Sequence, residues 1–267
     1  MITKLLDKAL SVKKRFLKMY KHANAGHIGC SLSSTEMLTF LRFDWMEEGD
    51  EFVLSKGHAA ALLYSVWAEY GILSEADIES FYKNNTYLAA HPPANKIKGI
   101  PFATGSLGHG LSLAAGLGLG LKLRKSNKKV FCITSDGELN EGSIWEAAMF
   151  IAHHNLTNVV WMIDRNQIQG FGRTEDVIKL NPLDDKLKAF GFEVIEVDGH
   201  DFEQLQQIKS LQSNSAKPVA AICHTVKGNG LDFFSDTVGC HYLPINDEQY
   251  AEALKGIENF YQQSIKS

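Results

Sequence analysis

The sequence predicts an α/β fold of three layers, α/β/α, with a mainly parallel sheet covered by helices on both faces. Three observations carry this. Short, almost wholly apolar runs recur through the chain at residues 129–134 (KVFCIT), 158–164 (NVVWMID), 192–197 and 218–223 (PVAAIC). Strands buried on both faces read this way, whereas strands with one wet face alternate. Segments of helical period separate the runs, as crossovers between parallel strands require. The Asp136-Gly137 turn after the first run leads into a helical segment rather than a second strand, which argues against a hairpin there.

Along the chain, residues 1–20 place Leu5, Leu6, Leu10, Phe16 and Leu17 broadly on one side of a helix. Helices follow at 34–43 and 58–70, and another at 75–82 begins after Ser74, a residue suited to the N-cap. Pro92, Pro93 and Gly99 punctuate a loop over 87–101. A long Gly/Ala/Leu helix spans 106–124 and precedes the first apolar strand. Helices at 142–154, 182–190 and 202–211 separate the remaining strands, and a last helix covers 247–261. Gly116, Gly118 and Gly120 alternate inside a helix, so they form no dinucleotide-binding GxGxxG turn; close helix packing is their expected use.

The 267 residues are 45% hydrophobic and 22% charged, with a net charge of −4, which is ordinary for a soluble globular chain. No dense run of Lys and Arg points to nucleic acid. Charges interrupt the first twenty residues, so no signal peptide is expected, and no later stretch approaches a membrane span. Cys30, Cys132, Cys223 and Cys240 are scattered without a CxxC pair, which fits a reducing, cytoplasmic setting.

In an open parallel sheet, ligands bind at the carboxyl ends of the strands. The first such end reads Ser135-Asp136-Gly137-Glu138, where a carboxylate suits a hard cation and the glycine lets backbone N–H approach a diphosphate. The next is Asp164-Arg165-Asn166-Gln167-Ile168, with Asn166 thirty residues beyond Asp136 and one helix between them. The two strand ends should therefore be neighbours. Asp136 and Asn166 side-chain oxygens and the Ile168 carbonyl would then offer three ligands, leaving diphosphate oxygens and water to complete the octahedron that Mg²⁺ prefers.

This Asp-Gly and distant Asn resemble the metal and diphosphate motif of thiamine-diphosphate enzymes. The usual form is Gly-Asp-Gly with a closing Asn pair; Ser135 and Arg165 depart from it, and neither departure is expected to touch a ligand. Further segments resemble transketolases: Ala25-Gly26-His27-Ile28-Gly29, Ser55-Lys56-Gly57-His58, Ala90-His91-Pro92-Pro93, Thr104-Gly105-Ser106-Leu107-Gly108-His109 and Asp198-Gly199-His200-Asp201. The likeness runs over about residues 1–243. It implies the thiamine-diphosphate-binding fold, with the whole chain, 1–267, as one diphosphate-binding domain. It implies thiamine diphosphate and Mg²⁺ (or Ca²⁺ or Mn²⁺) as cofactors, and transfer of a two-carbon ketol unit from a ketose, phosphorylated by expectation, to an aldose.

Carried over by position, the resemblance puts His27 and His91 on donor hydroxyls, and His58 and His241 near the diphosphate and reacting carbon. Gly105, Ser106 and Leu107 would meet the aminopyrimidine and Gly137 the diphosphate. Glu138 would join the cofactor site, and Glu141 and Glu146 a carboxylate network at a subunit interface. Asp136, Asn166 and Ile168 would hold the metal. His241 precedes Tyr242, where the family usually has Gly. His22, His153, His154 and His200 are expected to be merely solvated.

The resemblance implies that the activating Glu belongs to a separate pyrimidine-binding domain, which this sequence is not expected to include, so the expectation is a split enzyme needing a C-terminal partner subunit, two copies of each. Two other readings compete. One is the diphosphate-binding subunit of another two-subunit thiamine enzyme, of 2-oxo acid dehydrogenase or decarboxylase type, which would not need His27, His58 and His91. The other is a non-catalytic half that only binds a partner, which would need no metal ligands.

Overall fold

The computed structural model describes residues 2–266; Met1 and Ser267, the ends of the expected domain, lie outside that range. Seven strands form among these residues: β1 (Glu51–Leu54), β2 (Val130–Ser135), β3 (Val159–Arg165), β4 (Ile168–Gln169), β5 (Gly172–Arg173), β6 (Glu193–Asp198) and β7 (Val219–His224). Five pair in parallel in the order β1-β2-β3-β7-β6, while β4 and β5 form a separate antiparallel hairpin. The four expected strands are all present. β1 is an addition, too short to stand out in sequence and followed at once by a polar turn.

Side chains alternate between two apolar layers, which is why the runs are continuous rather than alternating. In β2, Val130 and Cys132 join one core while Phe131 and Ile133 join the other; in β3, Trp161 and Ile163 separate from Val160 and Met162 likewise. Helices Gly110–Leu123, Gly142–His153 and Leu183–Phe190 cover the first face. Helices Ile2–Ala23, Ala60–Glu69, Phe202–Asn214 and Asp247–Lys266 cover the second, with the short helices Ile28–Ser33 and Thr35–Phe40. Trp161 is wholly buried because its indole N–H donates to Thr134 Oγ1 at 2.9 Å.

Helix ends depart from the sequence expectation for local reasons. The helix expected from 106 starts at Gly110, since Gly105 (φ 145°) and Gly108 (φ 87°) hold the preceding loop in left-handed backbone. Ser74 does cap its helix, with Asp77 reciprocating in a capping box. Of the alternating glycines only Gly118 packs closely, a Cβ there striking Val159; Gly116 and Gly120 face open space. Among the described residues, no helix is long and apolar enough to cross a membrane. All four cysteines are buried and free.

Because the five sheet strands are parallel, their carboxyl ends share one edge. The register sets Ser135 beside Asp164 and Arg165 beside His224. Asp136, Asn166 and Thr225, each one residue past its strand, are thereby delivered to the same place.

Candidate functional site

At that edge lies a cavity of about 420 Å³, lined by Asp136, Gly137, Asn166, Ile168, His58, His241, Lys227, Leu107 and Glu141 among others. Its floor is the turn after β3. Gln167 adopts left-handed backbone (φ 65°), which aims its N–H at Asp136 Oδ2 at 2.6 Å. Asn166 Oδ1 accepts from the Ile168 N–H at 3.2 Å, and the Ile168 carbonyl accepts from Lys227 Nζ at 2.6 Å. A carboxylate, an amide oxygen and a backbone carbonyl thus converge, which is the donor chemistry of a hard cation. In donor type these residues fit the expected metal, and in this structure the Lys227 ammonium holds the Ile168 carbonyl.

One expectation is corrected here. Arg165 does touch a predicted ligand: its guanidinium donates to Asp136 Oδ2 at 3.2 Å, and the pair is 4% and 1% exposed. The same guanidinium also pairs with Glu175. Arg165 closes a strand whose end abuts the next strand's loop, so its long side chain crosses to the neighbouring carboxylate. Burial raises the Asp136 pKa, and Arg165 opposes that rise.

Beneath the floor lies a second buried pair. Asp164 accepts from Ser33 Oγ at 2.6 Å, from Asn166 Nδ2 at 3.2 Å, and closely from Lys56 and Thr225. Lys56 also donates to the Cys30 carbonyl at 2.9 Å. Burial alone would raise the Asp164 pKa, but the Lys56 charge and these donors outweigh it, and the net shift is downward.

Three histidines meet over the cavity. Ring centroids are 5.5 Å apart for His27 and His58, 5.0 Å for His27 and His241, and 5.9 Å for His58 and His241. His27 is held in left-handed backbone (φ 68°), and its N–H donates to the His241 carbonyl at 3.1 Å. His91 lies across the Gly105 loop, where a Cβ on Gly105 would come within 2.6 Å of its ring. Burial, then the charges of Lys227 and His27, pushes His241 down to about 3. Burial, then Lys56, holds His58 well below its ordinary value. Burial also lowers His27 and His91, with His91 and Lys227 adding to the effect at His27. All four are neutral at physiological pH. Lysine has only donors, so its 3.1 Å contact makes His241 Nδ1 an acceptor and leaves the proton on Nε2.

The remaining predicted residues divide. Gly105, Ser106 and Leu107 form the loop on the rim, with Ser106 and Leu107 exposed. Glu138 is buried, its carboxylate accepting from Gly108 N–H at 3.0 Å, from Ser135 N–H at 2.8 Å and from Ser55. With its oxygens so occupied it sits under the loop rather than facing the cavity. Glu141 and Glu146 are exposed, and only Glu141 reaches the cavity wall. His109 is exposed, its Nδ1 at 3.1 Å from the Ser106 carbonyl, at the start of the helix.

His200 is not the solvated residue expected. Its Nε2 accepts from Val226 N–H at 3.0 Å and its Nδ1 lies 2.9 Å from Glu36, which also pairs with Lys13 and Tyr261. Sequence reasoning also passed over Lys56, Asp164 and Lys227. Lys56 sits two residues before a histidine already singled out, and Asp164 ends an otherwise apolar strand, so both left a signal.

The chain is similar to known proteins of one family. The family model for the thiamine-diphosphate-binding domain of transketolase matches residues 7–260. An apulose-4-phosphate transketolase subunit from Phocaeicola vulgatus is 36% identical over 92% of this chain and 90% of its own length. The 6-deoxy-6-sulfo-D-fructose transketolase subunit SqwG of a Clostridium species is 32% identical over 95% and 96%. Among solved structures, Campylobacter jejuni transketolase superposes with a TM-score of 0.90 at 27% identity, over 95% of this chain. This chain spans 42% of that longer protein.

Proposed function

Because the chain belongs to the transketolase family through its thiamine-diphosphate-binding domain, we propose that it is the diphosphate-binding subunit of a split transketolase. In this reading it is one domain that transfers a two-carbon ketol unit from a ketose to an aldose, and only together with a pyrimidine-binding partner subunit. The observation that carries the reading is the meeting of His27, His58 and His241 over the same cavity as Asp136, Asn166 and Ile168. A decarboxylase-type subunit would need the oxygen ligands without the histidines, and a scaffold would need neither. The partner is supported by two relatives of nearly the same length that are named as subunits.

Asp136, Asn166 and the Ile168 carbonyl would hold Mg²⁺, with Gly137 N–H at the diphosphate. Bound there, thiamine diphosphate supplies a thiazolium that stabilises negative charge on the transferred carbon unit. The residues of this chain position and protonate around it. Neutral His27 and His91 offer one donor and one acceptor each to sugar hydroxyls, and the His241 Nε2–H points a donor from the cavity wall. Glu138 acts by holding the Gly105–Gly110 loop, on which the aminopyrimidine would rest. Leu107 and Glu141 at the rim, and Glu146 beyond it, face where the partner would dock, two copies of each chain completing the assembly.

The test is ketol transfer by the purified chain, by its partner and by the mixture, with Mg²⁺ and thiamine diphosphate. Activity should need both chains and be lost with a chelator. Full turnover by this chain alone would sink the split arrangement, and cofactor binding without ketol transfer in the mixture would favour the decarboxylase-type reading.

A further inference from the structure

We propose that Tyr242 is a specificity-determining residue, its ring barring the mouth of the cavity to sugars that extend far beyond the transferred two-carbon unit. The proposal rests on the ketol-transfer reading above and deepens it. The helix that carries His241 and the hairpin that carries the Ile168 carbonyl both border the cavity, and the Tyr242 ring crosses from one to the other. Its hydroxyl donates to the Gly170 carbonyl at 3.1 Å, and its ring meets the His241 ring edge-on with centroids 4.6 Å apart.

Both ends of this bar are fixed. Gly26 lies so close under the Tyr242 backbone that a Cβ there would come within 2.4 Å of the Tyr242 carbonyl oxygen. At the far end, a Cβ on Gly170 would come within 2.2 Å of the phenol oxygen and 3.3 Å of His241 Nε2. The hairpin tip has room for the phenol only because residue 170 has no side chain. Arg173 ties the same hairpin to the segment before the helix, donating to Asp236 Oδ1 at 2.9 Å. A substrate must place its reacting end inside, by His27, His58 and His241, so its tail leads outward. Tyr242 lines the cavity and is 54% exposed, so it stands where that tail emerges. With its hydroxyl hydrogen committed to Gly170, the ring presents bulk to the tail and discriminates by exclusion. A difference of one methylene against a fitted wall changes kcat/KM by about 10–200-fold.

The test compares xylulose-5-phosphate, fructose-6-phosphate and sedoheptulose-7-phosphate as donors to one aldose, with the partner subunit, Mg²⁺ and thiamine diphosphate present. Wild type should use the five-carbon donor best. Tyr242→Ala should raise the ratio of kcat/KM for the seven-carbon over the five-carbon donor at least about tenfold. Tyr242→Phe keeps the ring and should keep the wild-type ratio. On the chain alone, urea denaturation reads the contact itself. Gly170→Ala should lower the folding equilibrium constant at least about fivefold in wild type, and less than about twofold in the Tyr242→Ala background. An equal cost in both backgrounds, a wild type that favours the longest donor, or an unchanged ratio in Tyr242→Ala overturns the proposal and leaves the ketol-transfer reading standing. No transfer from any of the three donors, by wild type or by Tyr242→Ala, removes that reading and the proposal together.

Discussion

Replacing Lys56 by Met should cost more than any other single change at this edge of the sheet, and the cost should depend on pH in a direction opposite to that of most buried ion pairs. Lys56 and Asp164 are both wholly buried, and Lys56 supplies the only positive charge in contact with that carboxylate among the described residues. A buried ion pair contributes little net stability when intact, but removing one partner typically costs about 3–5 kcal/mol. A domain's whole stability is about 5–15 kcal/mol, so the variant should be near the edge of folding at neutral pH. In wild type the Asp164 pKa is lowered, so its contribution is fully present above the unfolded value of about 3.9 and is lost only as pH falls through the folded value. Without Lys56, burial dominates and the folded pKa rises above the unfolded one. The carboxylate then becomes a liability that grows with pH, and Lys56→Met should recover stability between pH 7.5 and pH 5 while wild type gains nothing from this group. Urea denaturation at both pH values measures this, with the slope checked for constancy. Asp164→Asn added to Lys56→Met should recover more than half of the loss at pH 7.5. A loss below about 1 kcal/mol, or an equal loss at both pH values, would refute the account of this pair.

Asp136→Ala should abolish Mg²⁺-dependent thiamine diphosphate binding in a calorimetric titration, and Asn166→Ala should weaken it less, since one ligand is anionic and the other neutral; unchanged affinity in Asp136→Ala would show the metal lies elsewhere. His27→Ala and His91→Ala, assayed with the partner present, should leave cofactor binding near normal and lower ketol transfer about 10²-fold, at the low end of acid–base contributions. Wild-type rates in both would make these histidines structural. His241, with a pKa near 3, should show no protonation by NMR down to about pH 5, where an ordinary imidazole is charged. Its depressed pKa contributes stability that is complete above about 6.5 and lost as pH falls toward 3, so His241→Gln should flatten the acid side of the stability profile.

How much of this was legible in the sequence follows from which forces are local. β2, β3 and β7 announce themselves because burial on both faces demands uninterrupted apolar runs, and those runs fix the parallel sheet and hence its ligand-binding edge. That Asp136 and Asn166 share one place was legible because both sit one residue beyond a strand, where position follows from topology. β1 was not found, since four residues carry too little pattern, and it took the structure to place Lys56 at the same edge. The basic residues were missed or misjudged for a different reason. Arg165, Lys56 and Lys227 act through long side chains that cross from one element to another, over separations of 29, 108 and 59 residues. No spacing rule encodes a contact of that kind. Arg165 shows the consequence most clearly: as a residue beside the motif it looked neutral, yet its guanidinium reaches the one carboxylate on which the metal assignment depends. Backbone topology therefore delivers Asp136, Asn166 and Ile168 to one edge, while the basic groups on Asp136 and on the Ile168 carbonyl arrive through side chains whose partners only the folded chain reveals.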